Sequence, residues 1–160
     1  MPSKFETVKV ASTIAYPAAG GVSYHDIPIK PGKGQVALLL AAQMAFAPDT
    51  TGANNFTKGW IWRKSPPNVS VLFGLSTALW ISDPDIIDFL PCYNEIITQG
   101  VAPRAAVSYK VYPYPVVLIR QPQFVVATFS GDTEVSCICW YMLQSVTDKE
   151  MTKLMVKDHA

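Results

Sequence analysis

Charge is the first shortage. Lys, Arg, Asp and Glu make up only 16% of the 160 residues, against roughly 25% in an ordinary globular chain. The thirteen basic residues are scattered, and only Lys4 and Lys9 precede Lys30. Tight sequence-independent binding of nucleic acid needs several clustered phosphate contacts, so direct nucleic-acid binding is not expected. Imidazole is scarcer still, with His25 and His159 alone. No Cys-x-x-Cys pair occurs, which argues against zinc even if Cys92 joined Cys137 and Cys139. Three cysteines give no even-numbered disulfide framework. Cys137 and Cys139 alternate on a predicted strand and so share a face, which suits two buried free thiols better than a mutual bridge. Long apolar runs are missing as well. The longest, 36–47, is interrupted by Gln43 and falls short of the ~20 residues of a membrane helix. The first sixteen residues lack the basic-then-apolar pattern of a signal peptide, so a cytoplasmic location is expected.

Catalytic chemistry needs convergent titratable groups, and none is announced. His25 and Asp26 are neighbours on a predicted strand, where adjacent side chains point apart. No nucleophile-elbow pattern supplies a serine. Asp83, Asp85 and Asp88 form the one acidic cluster, with oxygen ligands of the kind calcium takes. Helix capping and the helix dipole account for them without a metal. Pro31-Gly32-Lys33-Gly34-Gln35 lacks the spacing and the following hydroxyl of a phosphate loop and reads as a turn. The expectation is a non-enzymatic protein with no catalytic residue, metal, cofactor or small-molecule substrate.

What the chain does have is apolar residues, at 49%, and thirteen prolines that fall between apolar runs. Such punctuation favours strands over long helices. Residues 5–16 alternate, with Val8, Val10, Ile14 and Tyr16 opposite Thr7, Lys9 and Thr13, which predicts a half-buried strand. Val22 to Ile29 is a weaker one. Gln35 to Phe46 is rich in helix formers, but its Gly-rich approach and the following Pro48 favour a strand apolar on both faces. Gly59 to Lys64 and Val69 to Ile81 are further strands. Ser82-Asp83-Pro84-Asp85 has the marks of a helix start, and Pro91 limits that helix to a short one. Val107, Tyr109 and Val111 alternate with Ser108, Lys110 and Tyr112. Gln123 to Phe129 and Val135 to Leu143 flank a turn at residues 130–133 and read as a hairpin. Thr147 and Glu150 make a capping box, with Val146 and Met151 at the staple positions, so a C-terminal helix is predicted over 147–158.

The predicted fold is mainly β: one domain over 1–160 with a flexible start at 1–4. It is an antiparallel β-sandwich, of jelly-roll type with about eight strands, carrying a short middle helix and the C-terminal helix.

Aromatic residues beside turns and prolines are candidate contact points. Trp60 and Trp62 share a strand face with Lys58 and Lys64. That interleaving occurs in single-strand nucleic-acid binders, but lysine stems packed over indoles explain it more simply. Trp60, Trp62, Tyr112 and Tyr114, with Met151 and Met155 on the last helix, are the predicted interface residues. A low charge content leaves apolar surface for subunits to bury against each other.

Strands broken by Pro-rich loops, few charges, a short helix between strands and a late hairpin together resemble the single jelly-roll capsid proteins of icosahedral viruses. The resemblance spans Val8 to Leu143 and rests on pattern, with no site residue to carry over. It implies a shell subunit found in the virion, in place of the cytoplasmic location expected otherwise, whose partners are copies of itself and other shell proteins. The start of the chain departs from the basic arm of many RNA-virus coats. That departure favours a shell around a membrane, with internal membrane contact, or around a separately packaged genome. The alternative reading is a non-catalytic β-sandwich module that binds a small ligand or glycan through the same aromatics.

Overall fold

The computed structural model describes residues 7–15, 22–46, 56–63, 85–93, 95–97, 100–102, 106–128 and 134–159. Alternation and β-branched content make these segments strands almost throughout. They are β1 (Lys9–Ala15), β2 (Val22–Asp26), β3 (Gln35–Phe46), β4 (Phe56–Trp62), β5 (Ile86–Tyr93), β6 (Glu95–Ile97), β7 (Gly100–Ala102), β8 (Ala106–Leu118), β9 (Gln123–Thr128) and β10 (Val135–Ser145), followed by helix α1 (Asp148–His159). Eight of them form two antiparallel four-stranded sheets, ordered β1-β10-β3-β8 and β2-β9-β4-β5. Strands β6 and β7 pair separately. The protein is thus mainly β, as its punctuation implies.

The two sheets pack face to face as a sandwich. The first contributes Ala11, Ala37, Leu39, Met44, Phe46, Leu118, Cys137 and Cys139 to the core, and the second contributes Ile61, Phe124 and Val126. Each fully buried large side chain is worth about 1.5–3 kcal/mol. Gly59 is part of this packing: a Cβ there would lie 3.0 Å from Phe46 Cζ and 3.3 Å from Phe124 Cε2. The missing side chain lets both rings close over β4.

The segment Gln35–Phe46 is one strand, paired with β10 on one side and β8 on the other. Flanking strands thus cover both of its edges. The Pro31–Gln35 stretch is a turn, in which Gln35 N–H donates to Gly32 O at 3.0 Å and Gly34 takes a positive φ of 71°. Helix α1 begins as its capping box dictates. Thr147 N–H donates to Glu150 Oε2 at 2.9 Å, and Glu150 N–H donates to Thr147 Oγ1 at 3.3 Å. The Glu150 carboxyl also accepts from the Thr147 hydroxyl at 2.8 Å, and the two bonds it accepts from Thr147, amide and hydroxyl, hold it below its ordinary pKa.

Three expectations need correction. Residues 86–93, expected to be a short helix, are strand β5. Ile86 and Ile87 favour extended backbone, and Pro91 is tolerated because β5 is the outermost strand of its sheet among the described residues. Gln123–Thr128 and Val135–Ser145 are strands but no hairpin, because β9 pairs with β2 and β4 while β10 pairs with β1 and β3. The chain crosses from one sheet to the other between them. Finally, strand β1 presents its apolar file outward: Ala11 and Ala15 are buried, whereas Val8, Val10 and Ile14 are exposed. The expected strand at 69–81 lies outside the described residues, as does the start at 1–4.

Candidate interaction face

Strands β1 and β8 flank the first sheet, and β1 and the first half of β8, before its bulge, each point a file of larger apolar residues away from the core. Val10 is 60% exposed on β1, and Val111 is 61% exposed on β8. Ile14, Val107 and Tyr109 are exposed likewise. Inward from β8 go Ser108, Lys110 and Tyr112 instead. Cross-strand register aligns the outward residues in rows. One runs Ile14, Ser136, Ala45, Val107; the next Ser12, Ile138, Gln43, Tyr109; the third Val10, Trp140, Ala41, Val111. Among the described residues, no charged side chain stands in these rows.

Small residues on β3 shape the centre of this face. Tyr109 and Trp140 reach over it from either side and meet edge to face, with ring centroids 5.7 Å apart and planes at 87°. Ala41, the register partner of both Trp140 and Val111, is buried by what surrounds it. At one end the face gives way to α1. An open groove of about 370 Å³ runs between sheet and helix, lined by Val36, Leu38, Val117, Val146 and Leu154 with Gln144, Glu150 and Lys153.

Beside the face, β8 carries a four-residue bulge. Val111 pairs with Ala41 and Val116 with Leu39, so Tyr112-Pro113-Tyr114-Pro115 stands opposite Leu40 alone. Two prolines at a sheet edge discourage further strand pairing. The bulge turns Tyr112 into the core and leaves Tyr114 86% exposed.

The six residues expected at the surface therefore divide. Tyr114 and Met155 are exposed, and Met151 is partly buried on α1. Trp60, Trp62 and Tyr112 are buried, which corrects the expectation that they are accessible. Trp60 and Trp62 pack with Val125 and Ala127 on the side of β4 away from the sandwich core, with Val22 and Ile86 against them. A turn near a tryptophan does not by itself expose it, and buried indoles present no face to a base. Burial raises the Tyr112 phenol far above its ordinary pKa, and the negative charge of Asp88 adds to the effect. What the sequence reading missed were Val10, Val107, Tyr109, Val111 and Trp140. Their period-two files were legible, but nothing local marks which file faces the core.

The other candidate chemistry is dispersed. His25 Nε2 lies 3.0 Å from Ser23 Oγ, while Asp26 accepts a hydrogen bond from Gln123 Nε2 at 3.1 Å. Asp85 precedes β5, with its carbonyl accepting from Arg63 N–H at 2.8 Å, whereas Asp88 on β5 is buried and faces Lys110 Nζ at 3.7 Å. Cys137 and Cys139 are buried free thiols with sulfurs 3.9 Å apart. Their mutual hydrogen bond, and then burial, push the Cys137 thiol well above its ordinary pKa. Cys92 and Asp83 are not described at side-chain level. Among the described residues no group of three His, Cys, Asp or Glu side chains could hold a metal, and no helix is long and apolar enough to cross a membrane. No protein-family model matches the chain, and no curated protein matches its sequence.

Proposed function

We propose that this is a structural protein that works by self-assembly, as a subunit of a virus shell. The observation that carries the reading is the uncharged apolar outer face of the β1-β10-β3-β8 sheet. An apolar patch of this extent on a folded chain marks a surface that another molecule covers. Strand order supports the jelly-roll part of the reading. Strands from both ends of the chain lie side by side in one sheet, β1 beside β10, and β2 beside β9 in the other. Two nested Greek keys produce that interleaving, and shell proteins are among the folds built so. Partners in this reading are copies of the chain and further shell proteins, and the location is the particle. Negative-stain electron microscopy of the purified protein tests it: closed particles of uniform size support it, and their absence across salt and pH conditions counts against it.

The groove beside α1 favours a second reading. Its volume of about 370 Å³ falls within the ~300–1,000 Å³ of small-molecule sites, and an apolar lining with a few polar groups is typical of them. A module that holds a small ligand or glycan there would show saturable binding as a monomer, weakened by Leu154→Glu.

A further inference from the structure

We infer that the partner of the outer sheet face is the same face of a second copy, so that two chains pack sheet to sheet about a two-fold axis. The inference rests on the self-assembly reading and names the surface and the partner within it.

The first argument is polarity. On β1 and the first half of β8, Val10, Ile14, Val107, Tyr109 and Val111 are exposed, while Ala11, Ala15, Ser108 and Lys110 lie on the inward files. A lone sandwich would bury the apolar file. The inverted arrangement is stable against water only if a second layer covers it.

The second argument is charge. An isologous contact sets each residue of a patch against the same patch. A patch with charges of one sign would repel itself, and like charges brought together across an interface are costly. The rows from Ile14 to Val107 and from Val10 to Val111 carry no charge, so the face is compatible with its own copy. A basic nucleic acid site or an acidic partner would call for the opposite.

The third argument is area. Four strands at ~4.8 Å spacing and seven residues at ~3.3 Å rise make a plane of roughly 450 Å². That is over half of the ~800 Å² that each partner buries in a standard interface. The groove against α1, with Leu38, Val117 and Leu154 in its lining, borders the face and can add to it. Stacked sheets sit ~10 Å apart, a gap that the Tyr109 and Trp140 rings can fill from both sides.

The test is sedimentation velocity of the full chain over a range of concentrations, comparing the wild type with Val111→Lys and, separately, Tyr109→Glu. Both positions are exposed, so each variant keeps the fold, checked by its circular dichroism and melting temperature. The expected result is a dimer or larger species for the wild type, with dissociation shifted by roughly a hundredfold in concentration when a charge is forced unpaired into the apolar contact. If the wild type assembles and the charge variants assemble equally well, the face is not the contact, and self-assembly proceeds through another surface. If the wild type stays monomeric throughout, both the inference and the self-assembly reading are overturned. A monomer that binds neutral phospholipid vesicles through this face overturns them too, and assigns the face to a bilayer.

Discussion

Tyr109 and Trp140 meet edge to face above β3, 5.7 Å between centroids, although they lie on strands that do not pair with each other. Aromatic pairs of this geometry contribute about 0.5–1.5 kcal/mol beyond the area they bury. A double-mutant cycle with Tyr109→Ala and Trp140→Ala is expected to return a coupling energy in that range. Chemical denaturation measures it, and a coupling indistinguishable from zero would mean the rings do not hold each other in solution.

The aromatics separate by burial into two energetic classes. Trp62→Ala empties a fully buried site on β4 and is expected to cost about 3–5 kcal/mol. Tyr114→Ala removes a ring that stands 86% exposed on its proline-flanked bulge, so stability changes by only about 0.5 kcal/mol or less. Urea unfolding of both variants checks the contrast. Any effect of Tyr114→Ala on assembly would then be a contact effect, free of a folding defect.

Gly59→Ala is predicted to destabilise despite its small size. The added methyl meets the Phe46 ring at 3.0 Å, and overpacking of this kind costs about 1–3 kcal/mol. The melting temperature reports it. Pairing the change with Phe46→Leu, which makes room, is expected to recover part of the loss.

Much of the secondary structure was legible, and the reason is physical. Gln35–Phe46 is bracketed by a glycine turn and a proline, and the Thr147–Glu150 box fixes a helix start by satisfying exposed amides. Sheet membership was not legible. Residues 123–128 and 135–145 have every local mark of a hairpin, yet local marks report a turn and say nothing of which sheet receives each strand. Face polarity was also hidden. Alternation in Val8, Val10 and Ile14 shows that these residues share a side, but that side is the core only when the sheet has one buried face. Here Ala11 and Ala15 take the core, and the larger residues are left for the outside. The interface set fails for the same reason: nearness to a turn marks Trp60 and Trp62 without exposing them, and the alternation of Tyr109 and Val111 does not say which file faces out. Tyr114 was legible because prolines on both sides prevent its segment from pairing.

Helix α1 is expected to loosen in acid through Glu150. Its folded pKa is lowered by the hydrogen bonds from Thr147, so the capping contribution is fully present above the ordinary glutamate value and is lost as pH falls through the lowered folded one. Amide hydrogen exchange along α1, followed from neutral pH downward and corrected for intrinsic rates, is expected to show protection falling in that window. Glu150→Ala should show low protection at the helix start at every pH.

Light scattering coupled to size exclusion, applied to the purified native protein, tests the central claim of self-assembly most directly. The account predicts a discrete species whose mass is a multiple of the 17.5 kDa chain, far above it in assembling conditions and no smaller than a dimer at micromolar concentration. A clean 17.5 kDa monomer that persists at every concentration and salt tried would contradict it.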